Sequence, residues 1–517
     1  MPIDFPILSF IILAPALAAL VMLFIPGHLR DWIRAVAVVG SVASMVASFV
    51  VAYGVYLQGP GRHYSEFYDL VPSLGIHYAL AVDGWGAALL VLTGIIIVSG
   101  VFASWTVEDR QKEFFVFLLV LVAGVYGVFV SQDLFIFFLF YEIAVLPMYL
   151  LIGIWGSKGK VEPQGPLKWA FEKLDVGGRE YAAMKLTLML LVGSAFILAA
   201  MLAMYWEAGG SFLLIRMERA TFSPEMQFLA FPALWIGFGT LAGLWPFHTW
   251  SPDGHAAAPT AVSMLHAGVL MKLGAFGVIR IGMMLLPEGA MSWAFVVGCV
   301  AVLNIVYGAM CAMAQQDLKY IIAYSSVSHM GVVMLGAATL TVTGWNGAVY
   351  QMVAHGIMTG LFFALVGLLY ERTHDRWVPN MGGFATTMPL TAAFFTLACL
   401  SSLGLPGTAG FVAEFLVFLG AWQSPHWWWA IPGAIGAFVT AVYVLRATRM
   451  IFWGPGPPEK FAHLKDAVFT ERIALWTLGL ALIIFGLWPR VMLDLINQTT
   501  PSYLAKVTAE QVAEARP

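Results

Sequence analysis

Charged side chains are scarce in this sequence. Asp, Glu, Lys and Arg make up 11% of its 517 residues, against roughly 25% in soluble globular proteins. That scarcity, beside a hydrophobic share of 60%, excludes an ordinary water-soluble domain. The formal net charge of −3 is spread thinly, with no basic cluster to neutralise phosphates, so a nucleic-acid partner is excluded. Cysteine is nearly absent. Cys299, Cys311 and Cys399 lie singly in apolar stretches, which excludes a disulfide framework and a thiolate cluster. No two histidines stand at helical ligand spacing beside an acid, so a metal site is not expected. There is no glycine-rich phosphate loop and no nucleophile triad, and a cofactor carried by this chain is not expected either. The first apolar run, 6–25, has no basic segment before it and is long enough to span, so it reads as a helix and not as a cleavable signal.

Long apolar runs are abundant. A helix needs about 20 apolar residues to cross the bilayer core. Fourteen candidates fall at roughly 6–25, 33–57, 80–104, 114–131, 133–155, 183–205, 227–245, 260–285, 292–313, 319–340, 347–370, 388–420, 430–452 and 471–489. The fold class expected is therefore all-α, a polytopic membrane protein. The seventh run stops at Trp245-Pro246, because proline lacks an amide hydrogen and clashes with the preceding turn; Pro252 is expected to add to the break. The twelfth holds Ser401-Ser402-Leu403-Gly404-Leu405-Pro406-Gly407, another expected interruption. Two broken helices five spans apart are the pattern of two inverted five-helix repeats. The divisions expected are 1–110 with three helices, 111–290 and 291–455 as the repeats, and 456–517 with the last helix and a polar tail that holds a short helix-prone run at 505–515. Most Lys and Arg fall in loops after odd-numbered spans, among them Arg30, Arg110, Lys158, Lys173, Lys319, Arg372 and Lys460. By the positive-inside rule both termini then lie on the non-cytoplasmic side. The loop 157–181 is expected to carry a short amphipathic helix near 167–174.

The stretch 241–280, LAGLWPFHTWSPDGHAAAPTAVSMLHAGVLMKLGAFGVIR, joins the first break to a helix with Lys272 inside it. A lysine at mid-helix in lipid costs about 2.5–3.5 kcal/mol even on the lenient insertion scale, and broken backbone survives at that depth only against protein or a water-filled cavity. A chain that keeps both features together is expected to move protons or ions there. Lys272 is the only Lys or Arg expected at mid-span. Glu142, among aromatic and aliphatic neighbours in FFLFYEIAVLPMYL, and Glu414, just after the second break, are the matching acids. Glu142 could instead be a structural carboxylate pairing with a neighbouring helix, and Glu414 a surface carboxylate near a helix end. His248, His266, His329 and His355 fall at or inside other spans. Imidazole titrates near neutral pH and can bridge charged sites, although any one of them alone could be a satisfied core residue. Lys185, at the start of the sixth span, is either the cation partner of Glu142 or a snorkelling anchor. Asp317 and Lys319 are explained by capping and topology.

FYEIAVLPMYLLIGIWG, PFHTWSPDGHAAAPTAVSMLHAGVLMKLGAFGVIR, QQDLKYIIAYSSVSHMG, QMVAHGIMTGLFFALVGLLYER and SSLGLPGTAGFVAEFLVFLG together resemble the antiporter-like subunits of respiratory complex I, of the chain M type. The resemblance covers about 110 to 455. It implies fourteen helices with inverted five-helix repeats and one proton channel, driven by quinone reduction elsewhere in a large complex. It implies that Glu142, Lys272, Glu414, His329 and His355 match the family's relay positions. It further implies other membrane-arm subunits as partners, with NADH, FMN, iron–sulfur clusters and quinone on other chains, in the cell membrane of a bacterium.

Three departures from the family pattern stand out. The family's lysine before PFHTW is replaced by Leu241, and 228–247 carries no charge. His266 stands where chain M proteins usually have an aliphatic residue. The loop 157–181 is expanded. Two other readings therefore stay open: a subunit of an Mrp-type cation/proton antiporter or membrane hydrogenase, and a structural subunit that does not conduct. If the fold keeps room for the missing cation, Leu241→Lys leaves assembly of the complex at the wild-type level, read by native gel electrophoresis; loss of assembly would mean that the seventh span has repacked.

Overall fold

In the computed structural model, residues 5–157 and 177–514 are described. The expected loop helix near 167–174 lies outside them. The chain is mostly helical: α1 (Ile7–Phe24), α2 (Arg30–Gln58), α3 (Gly84–Ala103), α4 (Gln111–Val130), α5 (Leu134–Trp155), α6 (Arg179–Glu207), α7 (Pro224–Ala242), α8 (Trp250–Ala257), α9 (Thr260–Met283), α10 (Pro287–Ala314), α11 (Leu318–Ala338), α12 (Val342–Thr373), α13 (Pro389–Ser402), α14 (Ala409–Gln423), α15 (Ala430–Phe452), α16 (Phe469–Leu487), α17 (Arg490–Asn497) and α18 (Thr500–Glu514). Twelve helices among the described residues are long and apolar enough to cross a membrane. The seventh and twelfth expected spans are the interrupted pairs α7–α8 and α13–α14.

Aspartates start several of these helices. Asp83 accepts the Gly86 amide, Asp133 the Phe135 and Ile136 amides, and Asp317 the Lys319 and Tyr320 amides. Each carboxylate satisfies donors that the first turn leaves free. One element departs from the all-helical expectation. An antiparallel hairpin, β1 (His63–Val71) and β2 (Ile76–Val82), turns through Gly75 at φ +63°. The apolar run near residue 80 is thus a strand that ends at Asp83, and the third span starts only at Gly84. From β1, Glu66 takes the Leu8 amide, and so caps α1.

The first break is made by Gly243, left-handed at φ +72°, followed by the cis Trp245-Pro246 bond. Pro252, expected to help break the helix, instead sits in the first turn of α8, where proline is tolerated. Groups freed by the break find partners: the Trp245 amide donates to Asn304 Oδ1 at 2.9 Å, and Trp250 Nε1 to the Thr240 carbonyl at 2.9 Å. In the second break Gly404 and Gly407 are both left-handed.

The helices α3, α9, α11 and α12 are buried along nearly their whole membrane-length windows and form the centre; α2, α6, α15 and α16 face outward. Two features fit α9 to that centre. It widens into π-helical turns at His266–Leu270 and Val278–Met283, on either side of Lys272. It also meets α12 through glycine: a methyl group on Gly356 would lie 2.5 Å from the Gly268 carbonyl oxygen. At the other end of α9, Arg280 pairs with Asp83 at 2.7 Å, and Tyr503 of α18 donates to the same carboxylate at 2.6 Å. Burial by itself raises the Asp83 carboxyl, but Arg280, the Gly86 amide and Tyr503 outweigh it and hold the group below its usual range. Glu218, paired with Arg62 and Lys506, is held low in the same way.

The glycine contact generates a test. Gly356→Ala forces α12 off α9 and is expected to destabilise the protein by about 1–3 kcal/mol, the usual size of an overpacking defect. Thermal unfolding of the detergent-purified complex reads the effect.

Candidate functional site

Four of the residues singled out in the sequence form a continuous file through the centre. Lys272 is fully buried. Its ammonium folds back on the Ala267 carbonyl inside the π-helical turn and lies 2.8 Å from His355 Nδ1. The Gly268–Gly356 contact brings those two side chains together, because His355 precedes the glycine that carries the crossing. The His355 ring stands 5.2 Å from that of His329 on α11. His329 Nδ1 is 3.4 Å from Glu414 on α14 and 3.2 Å from Gln351 Nε2, while its Nε2 is 3.2 Å from Ser402 Oγ at the end of α13. Both halves of the second broken span thus contribute.

That geometry allows two protonation states at His329. A neutral ring with its hydrogen on Nε2 donates to Ser402 and accepts from the Gln351 amide at Nδ1. A protonated ring donates from Nδ1 to Glu414. The two arrangements use the same nitrogen, Nδ1, for different partners.

A second pair of imidazoles stands where α8 meets the start of α9. His255 on α8 and His266 on α9 stand with ring centroids 4.1 Å apart. His266 stacks on Trp250 and His255 on Phe363. Both ring nitrogens of His255, and Nδ1 of His266, are buried without a hydrogen-bond partner among the described residues. The only signal for His255 in the sequence is its place in a short polar segment between two proline-bounded breaks. Lys319 was also underrated. It is buried, its ammonium donates to the Ala258 carbonyl at 2.7 Å, and no carboxylate among the described residues lies within ion-pair distance of it. The neighbouring Asp317 pairs with Arg376 at 2.8 Å. Lys272 therefore has company as a buried cation, in Lys319 and Arg280, both near helix ends.

Glu142, Lys185 and His248 do not join the file. Glu142 is only partly buried on α5 and takes the Ser194 hydroxyl. Lys185 is not its cation partner. Ser194 lies nine residues beyond Lys185 on α6, about 13.5 Å along the axis and on the opposite face. Lys185 instead pairs with Asp253 of α8 at 2.7 Å, and Tyr320 donates to the same carboxylate at 2.9 Å. His248 packs edge-on against Tyr307. Leu241 is buried in α7, so the span beside Glu142 offers apolar side chains where the family pattern would put a cation. Cys299, Cys311 and Cys399 are free.

Comparison with known proteins identifies relatives of the whole chain. The profile of the NADH:quinone oxidoreductase/Mrp antiporter transmembrane family matches residues 175–440. An NAD(P)H-quinone oxidoreductase chain 4 of a Synechococcus strain is 36% identical, over 99% of this chain and 95% of the relative. The chain 4 protein of Gloeobacter violaceus matches at the same identity and coverage. Among solved structures, a chain of respiratory complex I from Thermus thermophilus with bound NADH superimposes with a TM-score of 0.83 at 28% identity, covering 97% of this chain and 100% of that one. A chain of the Mrp complex from Dietzia superimposes with a TM-score of 0.82 at 18% identity over 99% of both chains, a likeness of fold. This chain belongs to the NADH:quinone oxidoreductase/Mrp antiporter membrane family, as an antiporter-like subunit of complex I.

Proposed function

We propose that this chain translocates protons in the membrane arm of a quinone-reducing complex I, through Lys272, His355, His329 and Glu414. The unbroken contact of these four buried side chains is the observation that carries the reading. The Lys272 ammonium stands against the His355 ring, and an imidazole in that position can take a proton from it. His329 then passes the charge to Glu414 by the partner exchange at Nδ1. Electrons are handled by other subunits, with NADH, FMN, iron–sulfur clusters and quinone bound there. Other membrane-arm subunits flank the chain in the cell membrane of a bacterium, with both termini on the non-cytoplasmic side. Residues 111–290 and 291–455 act as the two repeats, with 1–110 and 456–517 as flanking segments.

Glu142 has a different part. It lies off the file, partly exposed on α5, and α7 carries no charged side chain beyond Glu225 in its first turn to relay its proton. It acts as a charge at the subunit edge that biases Lys272 across the bundle. Lys185, held by Asp253, and His248 take no direct part in the transfer.

The test is proton pumping in inside-out membrane vesicles, with quinone reduction followed in the same sample. Lys272→Ala and Glu142→Gln are each expected to lower the proton-to-electron ratio while the complex assembles and electron flux persists. Wild-type ratios in both variants would overturn the proposal.

A further inference from the structure

A cleft on the outward-facing side of the bundle lies apart from the relay file. It is formed by α2, α16 and α17, with Val91 of α3 reaching into it, and encloses about 550 Å³. We propose that this cleft holds a zwitterionic aminophospholipid. An acyl chain lies between α2 and α16, the phosphate meets Arg490, and the ammonium meets Asp494.

The short helix α17 supplies the charges. Its sequence, RVMLDLIN, sets Met492, Leu495 and Ile496 against the bundle, where they are buried, and leaves Arg490 and Asp494 exposed. These two residues stand four positions apart, so their side chains share one face, with Cβ atoms about 5–6 Å apart. Both line the cleft. They form no ion pair with each other, and neither side chain has a partner among the described residues.

Opposite charges so placed beside an apolar cleft match a headgroup that carries the same two charges in reverse. The guanidinium offers planar donors that suit a phosphate, and the carboxylate accepts from a primary ammonium. An anionic lipid satisfies Arg490 but is repelled by Asp494. A choline headgroup has no N–H to give that carboxylate.

Depth fits as well. α16 has membrane-spanning length and stops at Leu487, so α17 begins at the membrane surface. Phe49 and Phe485 supply apolar wall further in. Phe49 lies nine residues before the end of α2, about 13.5 Å along the axis, which is acyl-chain depth. Tyr53 and Tyr56, both exposed, stand between the two levels, where amphipathic rings are favoured. Bonds at its far end hold α17 in place over the cleft. Gln498 Nε2 donates to the Tyr56 carbonyl at 3.0 Å, in the last turn of α2, and Asn346 Nδ2 donates to Asn497 Oδ1 at 2.7 Å.

The probe is phosphatidylethanolamine with a photoreactive acyl chain, added to the detergent-purified complex, irradiated, and mapped to peptides by mass spectrometry. Phosphatidylcholine and phosphatidylglycerol with the same chain are run beside it. The expected result is that phosphatidylethanolamine labels the peptides around Phe49 and Phe485 most strongly. Arg490→Ala lowers that labelling by about tenfold, the weight of one charge-assisted contact. Asp494→Asn brings phosphatidylethanolamine down to the level of phosphatidylcholine. Equal labelling by all three lipids in the wild type overturns the proposal, because the two charges then select nothing. Stronger labelling by phosphatidylglycerol, labelling confined to other peptides, or labelling unchanged in Arg490→Ala overturns it too. The comparison of three lipids needs only the wild-type complex, so it decides the matter even where a variant fails to assemble.

Discussion

One constraint governs this molecule: an ammonium group held at membrane depth with no carboxylate within ion-pair distance among the described residues. Such a group is tolerable only if polar atoms come to it, and in an apolar bundle those atoms must be carried in by backbone and by neighbouring helices. The wider turn of α9 offers the Ala267 carbonyl, and α12 offers the His355 ring. That ring can approach because two glycines let the helices touch. Around the buried lysine the four inner helices give up their contact with lipid, and the outer ones supply it. Much of the chain's architecture is a shell that keeps one amine out of water and in contact with imidazole.

The two breaks serve the same end from opposite sides. Each exposes backbone at a depth where an unsatisfied group is expensive. In the first, Asn304 and Trp250 meet the freed groups, so the interruption is held by specific bonds and is not a loose joint. In the second, Ser402 and Glu414 flank the turn through Gly404 and Gly407, and both converge on His329. Broken helices here are a way of bringing side chains from successive turns to a point that no continuous helix could serve.

Much of this was legible in the residues. The apolar runs located nearly every helix end within a few positions, because membrane thickness fixes their length. Lys272, His355, His329 and Glu414 were marked by the rarity of such groups in apolar stretches. What escaped the sequence were matters of direction and partnership. Nothing in the neighbourhood of Lys185 says that it turns to Asp253, because the two lie 68 positions apart and meet only once α8 has folded back against α6. Lys319 reads as a loop anchor until the Arg376 pairing draws Asp317 away and leaves the lysine to a carbonyl. The hairpin was hidden because Ile76–Val82 is apolar enough to pass for the start of a span, and only Asp83, the true cap, marks where the helix begins.

The knot of Asp83, Arg280 and Tyr503 has a consequence in time. It joins residues 420 positions apart, a separation that puts the contact among the latest to form as the chain is made and inserted. Until α18 arrives, the Arg280–Asp83 pair lacks the Tyr503 hydroxyl, and the Trp85 indole and Gly84 amide lack the threonines that later receive them. The closing helix therefore works as a latch: the bundle can gather helix by helix, and this end of it is tied last.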